Sequence, residues 1–181
     1  IEDSADIQRA AAQLAKDHPT LNVVIHNAGI MRPENILDGN LADAEATIAT
    51  NLLGPIRLTA ALLPQLQKQP SAAILTVSSG LAFTPMAITP TYSATKAAIH
   101  SWTQSIRYQL RDTHIEVLEI APPYVQTELN GPQQASDPRA MPLADYIAET
   151  VQLIANPPAS GERVGVLLCG ANTTAVDFAR A

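Results

Sequence analysis

Residues 71–102 read SAAILTVSSGLAFTPMAITPTYSATKAAIHSW, and the fold follows from how this stretch divides. Its first part, Ala72 to Val77, is a nearly continuous apolar run containing β-branched residues. Such a run reads as a strand buried on both faces. A loop holding Pro85 and Pro90 follows, and then a helix from about Thr91 to Arg111.

The same alternation extends in both directions. Upstream, Asp3 or Ser4 can cap a helix through Ile7, Ala11, Leu14 and Ala15 that Pro19 stops from continuing. Leu21 to His26 (LNVVIH) reads as a second buried strand, and Asn40 can cap a helix from about Leu41 to Gln69. Gly54-Pro55 and Pro64 are expected to bend or divide that helix. Downstream come a strand from His114 to Ala121 (HIEVLEIA), a helix from Leu143 to Ala155 and a strand from Arg163 to Cys169 (RVGVLLC). Between them, Pro122 to Pro142 holds five prolines and reads as a substrate loop or lid within one domain spanning 1–181. Buried strands separated by helices imply an α/β fold with a parallel sheet and right-handed crossovers. In such sheets chemistry gathers beyond the carboxyl ends of the strands.

Composition narrows the function classes. Of 181 residues 46% are hydrophobic and 15% charged, an ordinary globular balance. The net charge is −6 and the eleven basic residues are scattered, so nothing offers a nucleic acid a track. No continuous apolar run approaches the roughly twenty residues of a membrane span. No export leader is visible, and the single cysteine, Cys169, suits a reducing compartment; a cytoplasmic location is expected. His26, His100 and His114 make no ligand pattern with Cys169, so zinc is not expected. Trp102 and Tyr108 are expected to pack or to contact another subunit. Ser79 lies outside any G-x-S-x-G, which argues against a hydrolase elbow.

Three segments pass the carboxyl-end test: Asn27-Ala28-Gly29, Ser78-Ser79-Gly80, and Pro122-Pro123 with Thr127. Tyr92 and Lys96, four residues apart, share one face of the helix that follows. A tyrosine with a pKa of about 10 is a poor base at neutral pH, and a nearby ammonium favours its phenolate. Tyr92 could then exchange a proton with a substrate oxygen. The same spacing also occurs by chance on many helices.

Asn27-Ala28-Gly29, Asn51, Ser79 thirteen residues before Tyr92, and Tyr92-x-x-x-Lys96 together resemble the short-chain dehydrogenase/reductase family. NAGIMRPENI and YSATKAAIHSW are especially similar to its DltE-type branch. The match runs from Ile1 to about Thr127 and more weakly to the final strand. The resemblance implies a Rossmann-type doubly wound sheet and NAD(P)-dependent interconversion of a carbonyl and a secondary alcohol. It implies Tyr92 as the acid/base, Lys96 lowering its pKa and binding the nicotinamide ribose, and Ser79 holding the substrate oxygen. Asn51 would hold a water linking Lys96 to solvent, although it could simply satisfy backbone groups. Asn27, Ala28 and Gly29 would meet the adenosine side of the cofactor and brace the sheet. Pro122, Val125 and Thr127 are further cofactor contacts by resemblance, with a loop-stabilising role for Thr127 as the alternative. A homodimer or homotetramer formed through the two long helices is also implied.

The sequence departs from the family in three places. None of its eight glycines forms T-G-x-x-x-G-x-G, the phosphate-binding turn at the family's start. The chain is therefore expected to supply strands four to seven of seven, to leave Leu21–His26 as an open edge, and to be poorly soluble and inactive alone. Pro122-Pro123 stands where the family usually has Pro-Gly, and Thr76 where it often has Asn. A non-catalytic binding or assembly module is the competing function. NAD against NADP, the substrate and the direction of reaction are not readable.

Overall fold

Ala72–Val77 forms the expected strand, in the interior of a sheet of four parallel strands. The computed structural model describes residues 1–156 and 166–168. The strands β1 (Val23–His26), β2 (Ala72–Val77), β3 (Ile115–Ala121) and β4 (Val166–Leu168) pair in chain order. Helix α1 (Ser4–Asp17) precedes β1, and α2 (Ala42–Ile48) and α3 (Gly54–Leu66) join it to β2. Helix α4 (Pro90–Leu110) joins β2 to β3, and α5 (Leu143–Ala155) joins β3 to β4. This is the α/β, all-parallel architecture the sequence implies.

Register explains where the core lies. Val24, Ile74 and Val117 are cross-strand partners, so they form one row on one face of the sheet. They are buried in one cluster with Ala11 of α1 and with Leu62 and Leu66 of α3, and Ile106 and Leu110 of α4 pack against it. On the opposite face Val23 and Ile25 are 46% and 55% exposed. The expectation that β1 is buried on both faces therefore fails. Among the described residues its only strand partner is β2, and no described strand pairs with its other edge.

The helices start and stop for local reasons. Asp3 Oδ1 accepts from Ala5 N at 2.7 Å and Asp6 N at 3.0 Å, capping α1. Asn40 Oδ1 accepts from Ala42 N at 3.0 Å. The long helix expected over 41–69 is divided by a π-helical turn, Ala49–Leu53. Pro55 has no N–H, and its ring crowds the carbonyl four residues back, at Asn51, so the backbone widens there. Pro64 is accommodated close to the end of α3. A Cβ on Gly54 would lie 2.5 Å from Ile1 Cγ1, so glycine lets the first residues pass close by. Thr50 Oγ1 and Arg57 Nη1 hold Glu2 there at 2.7 and 3.1 Å. Taken end to end, Ala42–Leu66 is long and apolar enough to cross a membrane, but here α3 packs against α1 and the sheet.

The proline-rich stretch after β3 is more ordered than its composition suggests. Pro132–Ser136 is a 3-10 turn, and Val125 bridges Met141 in parallel. The final predicted strand is present as Val166–Leu168, while Cys169 lies outside the described residues.

His26 ends β1 on the core face, 2.7 Å from Thr59 Oγ1 and edge-on to Trp102 at 6.5 Å. Burial lowers its pKa from 6.5 to about 4. Between those values the unfolded chain binds a proton that the folded one refuses. Stability that is full above pH 6.5 is thus lost as pH falls toward 4, by up to about 3 kcal/mol. Urea unfolding at pH 7.5 and 4.5 should show a smaller loss in His26→Asn than in the wild type; equal losses would refute this origin.

Candidate active site

The carboxyl ends of β1, β2 and β3 open onto one cavity of about 880 Å³. Asn27, Ala28 and Gly29 line it after β1, Ser78, Ser79 and Gly80 after β2, and Pro122, Val125 and Thr127 after β3. Tyr92 and Lys96, from the first turns of α4, complete it. Every residue proposed from the sequence therefore reaches this cavity except Asn51.

Ser79 and Ser78 diverge as alternation along a strand requires. Ser78 is buried, with its N–H donating to Ile120 O at 2.8 Å. Ser79 Oγ accepts from Leu81 N at 3.1 Å, and its side chain lies near enough to Tyr92 to favour the phenolate. Gly80 N donates to Pro122 O at 3.2 Å, tying the loops after β2 and β3 together.

Lys96 is buried, and its Nζ donates to Val77 O at 2.8 Å while standing 5.4 Å from the centre of the Tyr92 ring. Burial brings its pKa down from 10.5 to about 8. Burial also raises the Tyr92 pKa, and the neighbouring Ser79 side chain offsets part of that rise. The expected lowering of Tyr92 by Lys96 is not found. Loss of water around the phenol outweighs the other influences on it. Burial therefore favours the protonated phenol of Tyr92.

Asn51 sits behind the cavity, on the π-helical turn. Its Oδ1 accepts from Ile30 N at 2.9 Å, and its Nδ2 donates to Ile30 O at 2.9 Å and to Thr95 Oγ1 at 3.3 Å. These bonds are the backbone-satisfying role set out as the alternative for this residue. A Cβ on Gly29 would lie 3.4 Å from Asn51 Oδ1 and 3.7 Å from Lys96 Nζ. The missing side chain therefore leaves space beside the ammonium.

Several contributors had no sequence signal. Glu34 caps α4 from 57 residues away, its carboxylate accepting from Thr91 N at 3.1 Å and Thr91 Oγ1 at 2.7 Å. Gln134 pins the loop after β3, donating to Val125 O at 2.7 Å and Thr127 Oγ1 at 3.2 Å. Thr127 Oγ1 also accepts from Leu129 N at 3.3 Å, so its hydroxyl braces the loop. At the rim, Arg139 holds both oxygens of Asp137, at 3.0 and 2.7 Å, and Tyr124 donates to the same carboxylate. Met31, Leu81 and Met86 supply apolar lining to the same cavity. Met86 is fixed through its N–H to Ser93 Oγ at 3.2 Å. The buried Thr76 shares a 2.8 Å hydrogen bond with Thr103, a structural role.

The chain is similar to known proteins in sequence and in fold. The sequence model described as short chain dehydrogenase matches residues 1–138. An uncharacterized oxidoreductase, DltE of Bacillus subtilis, is 48% identical over 118 residues, which cover 64% of this chain and 46% of the relative. An NADP-dependent 3-hydroxy acid dehydrogenase of Schizosaccharomyces pombe is 30% identical over 131 residues, 72% of this chain and 51% of the relative. The chain spans about half the length of the curated relatives it matches. Among solved structures, a short-chain dehydrogenase from Sphingobium yanoikuyae in complex with NADPH superimposes with a TM-score of 0.81. It shares 22% identity, over 99% of this chain and 70% of that one.

Asn51→Ala removes three hydrogen bonds and leaves both backbone groups of Ile30 unmet. The variant should lose about 2 kcal/mol of stability by chemical denaturation; a loss within error of zero would show that Ile30 finds other partners.

Proposed function

The chain belongs to the short-chain dehydrogenase family, and from that premise we propose that the whole protein is a nicotinamide-dependent oxidoreductase. It interconverts a carbonyl and a secondary alcohol. The observation that carries this reading is that Ser79, Tyr92 and Lys96 line one cavity together, with the Lys96 ammonium 5.4 Å from the centre of the Tyr92 ring.

The residues present fit the nicotinamide end of NAD or NADP. The space left by Gly29 adjoins Lys96, and the Lys96 bond to Val77 uses one of three ammonium donors. Asn27, Ala28, Pro122, Val125 and Thr127 are the further residues that would hold the cofactor. When bound, the dinucleotide supplies or accepts the hydride, which no side chain can do. Its phosphate-binding turn is not within this sequence.

The chain's own residues handle the proton and the charge. Ser79 donates to the substrate oxygen and stabilises charge developing on it. Tyr92, its pKa raised by burial, keeps its proton at neutral pH and delivers it to that oxygen during reduction. Lys96 places positive charge beside the phenol as the proton leaves. Met31, Leu81 and Met86 favour apolar groups flanking the carbonyl, and Arg139 is already engaged by Asp137. An uncharged ketone therefore suits the cavity better than a keto acid.

The test is turnover by the whole protein with NADH or NADPH and a panel of ketones. Tyr92→Phe should reduce kcat by about 10³-fold or more while leaving cofactor affinity within about twofold. A Tyr92→Phe enzyme with wild-type kcat would sink the proposal, as would cofactor binding without turnover of any carbonyl.

The pH profile gives an independent check. Lys96 is charged below its pKa of about 8 and neutral above it, so reduction should decline through that pH. Lys96→Arg, which keeps its charge, should move the decline to higher pH in whatever activity remains. An unchanged alkaline limb would remove Lys96 from this role.

A further inference from the structure

We propose that His100 is a positioning residue for the Ser79–Tyr92–Lys96 centre, acting through Glu119 and Phe83; this rests on the oxidoreductase reading above. Tyr92, Lys96, His100 and Gln104 recur every four residues and form one stripe along α4. The first two line the cavity, whereas His100, Glu119 and Phe83 do not. His100 therefore sits one turn beyond the chemistry and touches no substrate.

Its contacts join three separate parts of the fold. His100 Nδ1 donates to Glu119 Oε1 at 3.0 Å and Oε2 at 2.9 Å, which ties α4 to β3. Its ring meets the Phe83 ring edge-on, with centroids 4.7 Å apart and an interplanar angle of 66°. Phe83 closes the 3-10 turn Gly80–Ala82, donating to Gly80 O at 3.2 Å. Ser79 caps that same turn through the bond from Leu81 N. One imidazole thus rests on the helix that carries Tyr92, the strand that leads to Pro122, and the turn that holds Ser79.

Energetics make the contact stiff. Glu119 is 0% exposed on a strand otherwise rich in apolar residues. A carboxyl group in such a place is costly without a partner. His100 provides one at two oxygens, and Gln104 Nε2 stands 3.1 Å from the other imidazole nitrogen. Arg107, one turn further along α4, donates to Val117 O at 2.9 Å; burial lowers its proton affinity, and the charge of Glu119 offsets part of that fall. Helix rotation about the α4–β3 contact is therefore opposed by paired polar groups and by the Phe83 ring. Rotation or sliding there would change the distance between Ser79 and the Tyr92 hydroxyl. Misplacing a reacting group by about 1 Å costs on the order of 10²-fold in rate.

The experiment is steady-state kinetics of the whole protein with NADH or NADPH and a ketone it reduces, alongside thermal melting. His100→Ala should lower kcat by about 10- to 100-fold while KM for the cofactor stays within about twofold. His100→Asn, which can place an amide N–H near the position of Nδ1, should recover kcat to within about threefold of wild type. Phe83→Leu leaves Glu119 paired and should lower kcat at least about threefold without lowering the melting temperature by more than about 2 °C. Wild-type kcat in His100→Ala, or no recovery in His100→Asn, overturns the proposal. If His100→Ala does not fold, Phe83→Leu decides, and wild-type kcat there overturns it. Tyr92→Phe in the same assay separates the two levels. An inactive Tyr92→Phe beside fully active His100→Ala and Phe83→Leu refutes positioning alone. A fully active Tyr92→Phe refutes the oxidoreductase reading and positioning with it.

Discussion

The ammonium of Lys96 donates to the carbonyl of Val77, the last residue of β2, at 2.8 Å. That bond crosses from the cavity-lining side of α4 to the carboxyl end of the sheet, and the arrangement of the site depends on it. Tyr92 lies one turn before Lys96, and Ser79 lies two residues after Val77. Fixing Lys96 on Val77 therefore limits how far the tyrosine and the serine can move apart. Because Lys96 is buried, few other acceptors compete for its proton donors. A buried cation without such an acceptor would be strongly unfavourable.

Sheet order does the rest of the assembly. Parallel pairing in the order β1, β2, β3 brings three post-strand loops to the same edge, from positions separated by tens of residues. Short polar links then lock loop to loop: Gly80 to Pro122, Asn51 to Ile30, and Gln134 to Val125 and Thr127. None of these links involves the side chain of Ser79 or Tyr92. They act by removing freedom from the segments around those side chains.

Much of this was legible because the signals are local. The apolar run at Ala72–Val77, the four-residue step from Tyr92 to Lys96 and the thirteen-residue step back to Ser79 each depend on one element or one loop. The backbone-satisfying role of Asn51 was legible as an alternative, but its partner Ile30 was not, because the π-helical turn arises where Pro55 disturbs the preceding backbone. Glu34 capping α4, and Glu119 paired with His100, join residues distant in sequence with no periodic pattern to announce them. The exposure of Val23 and Ile25 was hidden because an apolar run looks the same whether one face or both are covered. The raised Tyr92 pKa was misread for a related reason. Spacing reveals the neighbouring cation, but only the packed structure reveals how much water has been removed.

Water removal also gives the pair a common bias. Burial penalises the charged form of each group, so it raises Tyr92 and lowers Lys96. Both are driven toward neutrality, and the phenol therefore holds its proton until something nearby needs it more. On the proposed chemistry, the group that needs it is an oxygen gaining negative charge as a carbonyl is reduced. Ser79 meets that charge first as a donor, and Tyr92 then loses a proton that burial had made hard to remove. The ammonium beside it becomes more favourable at that same moment, since a phenolate is forming within its reach. In the reverse direction Tyr92 must accept a proton, and the same burial keeps the required phenolate scarce at neutral pH. A site built this way favours proton donation at neutral pH and becomes a better base only as the medium turns alkaline.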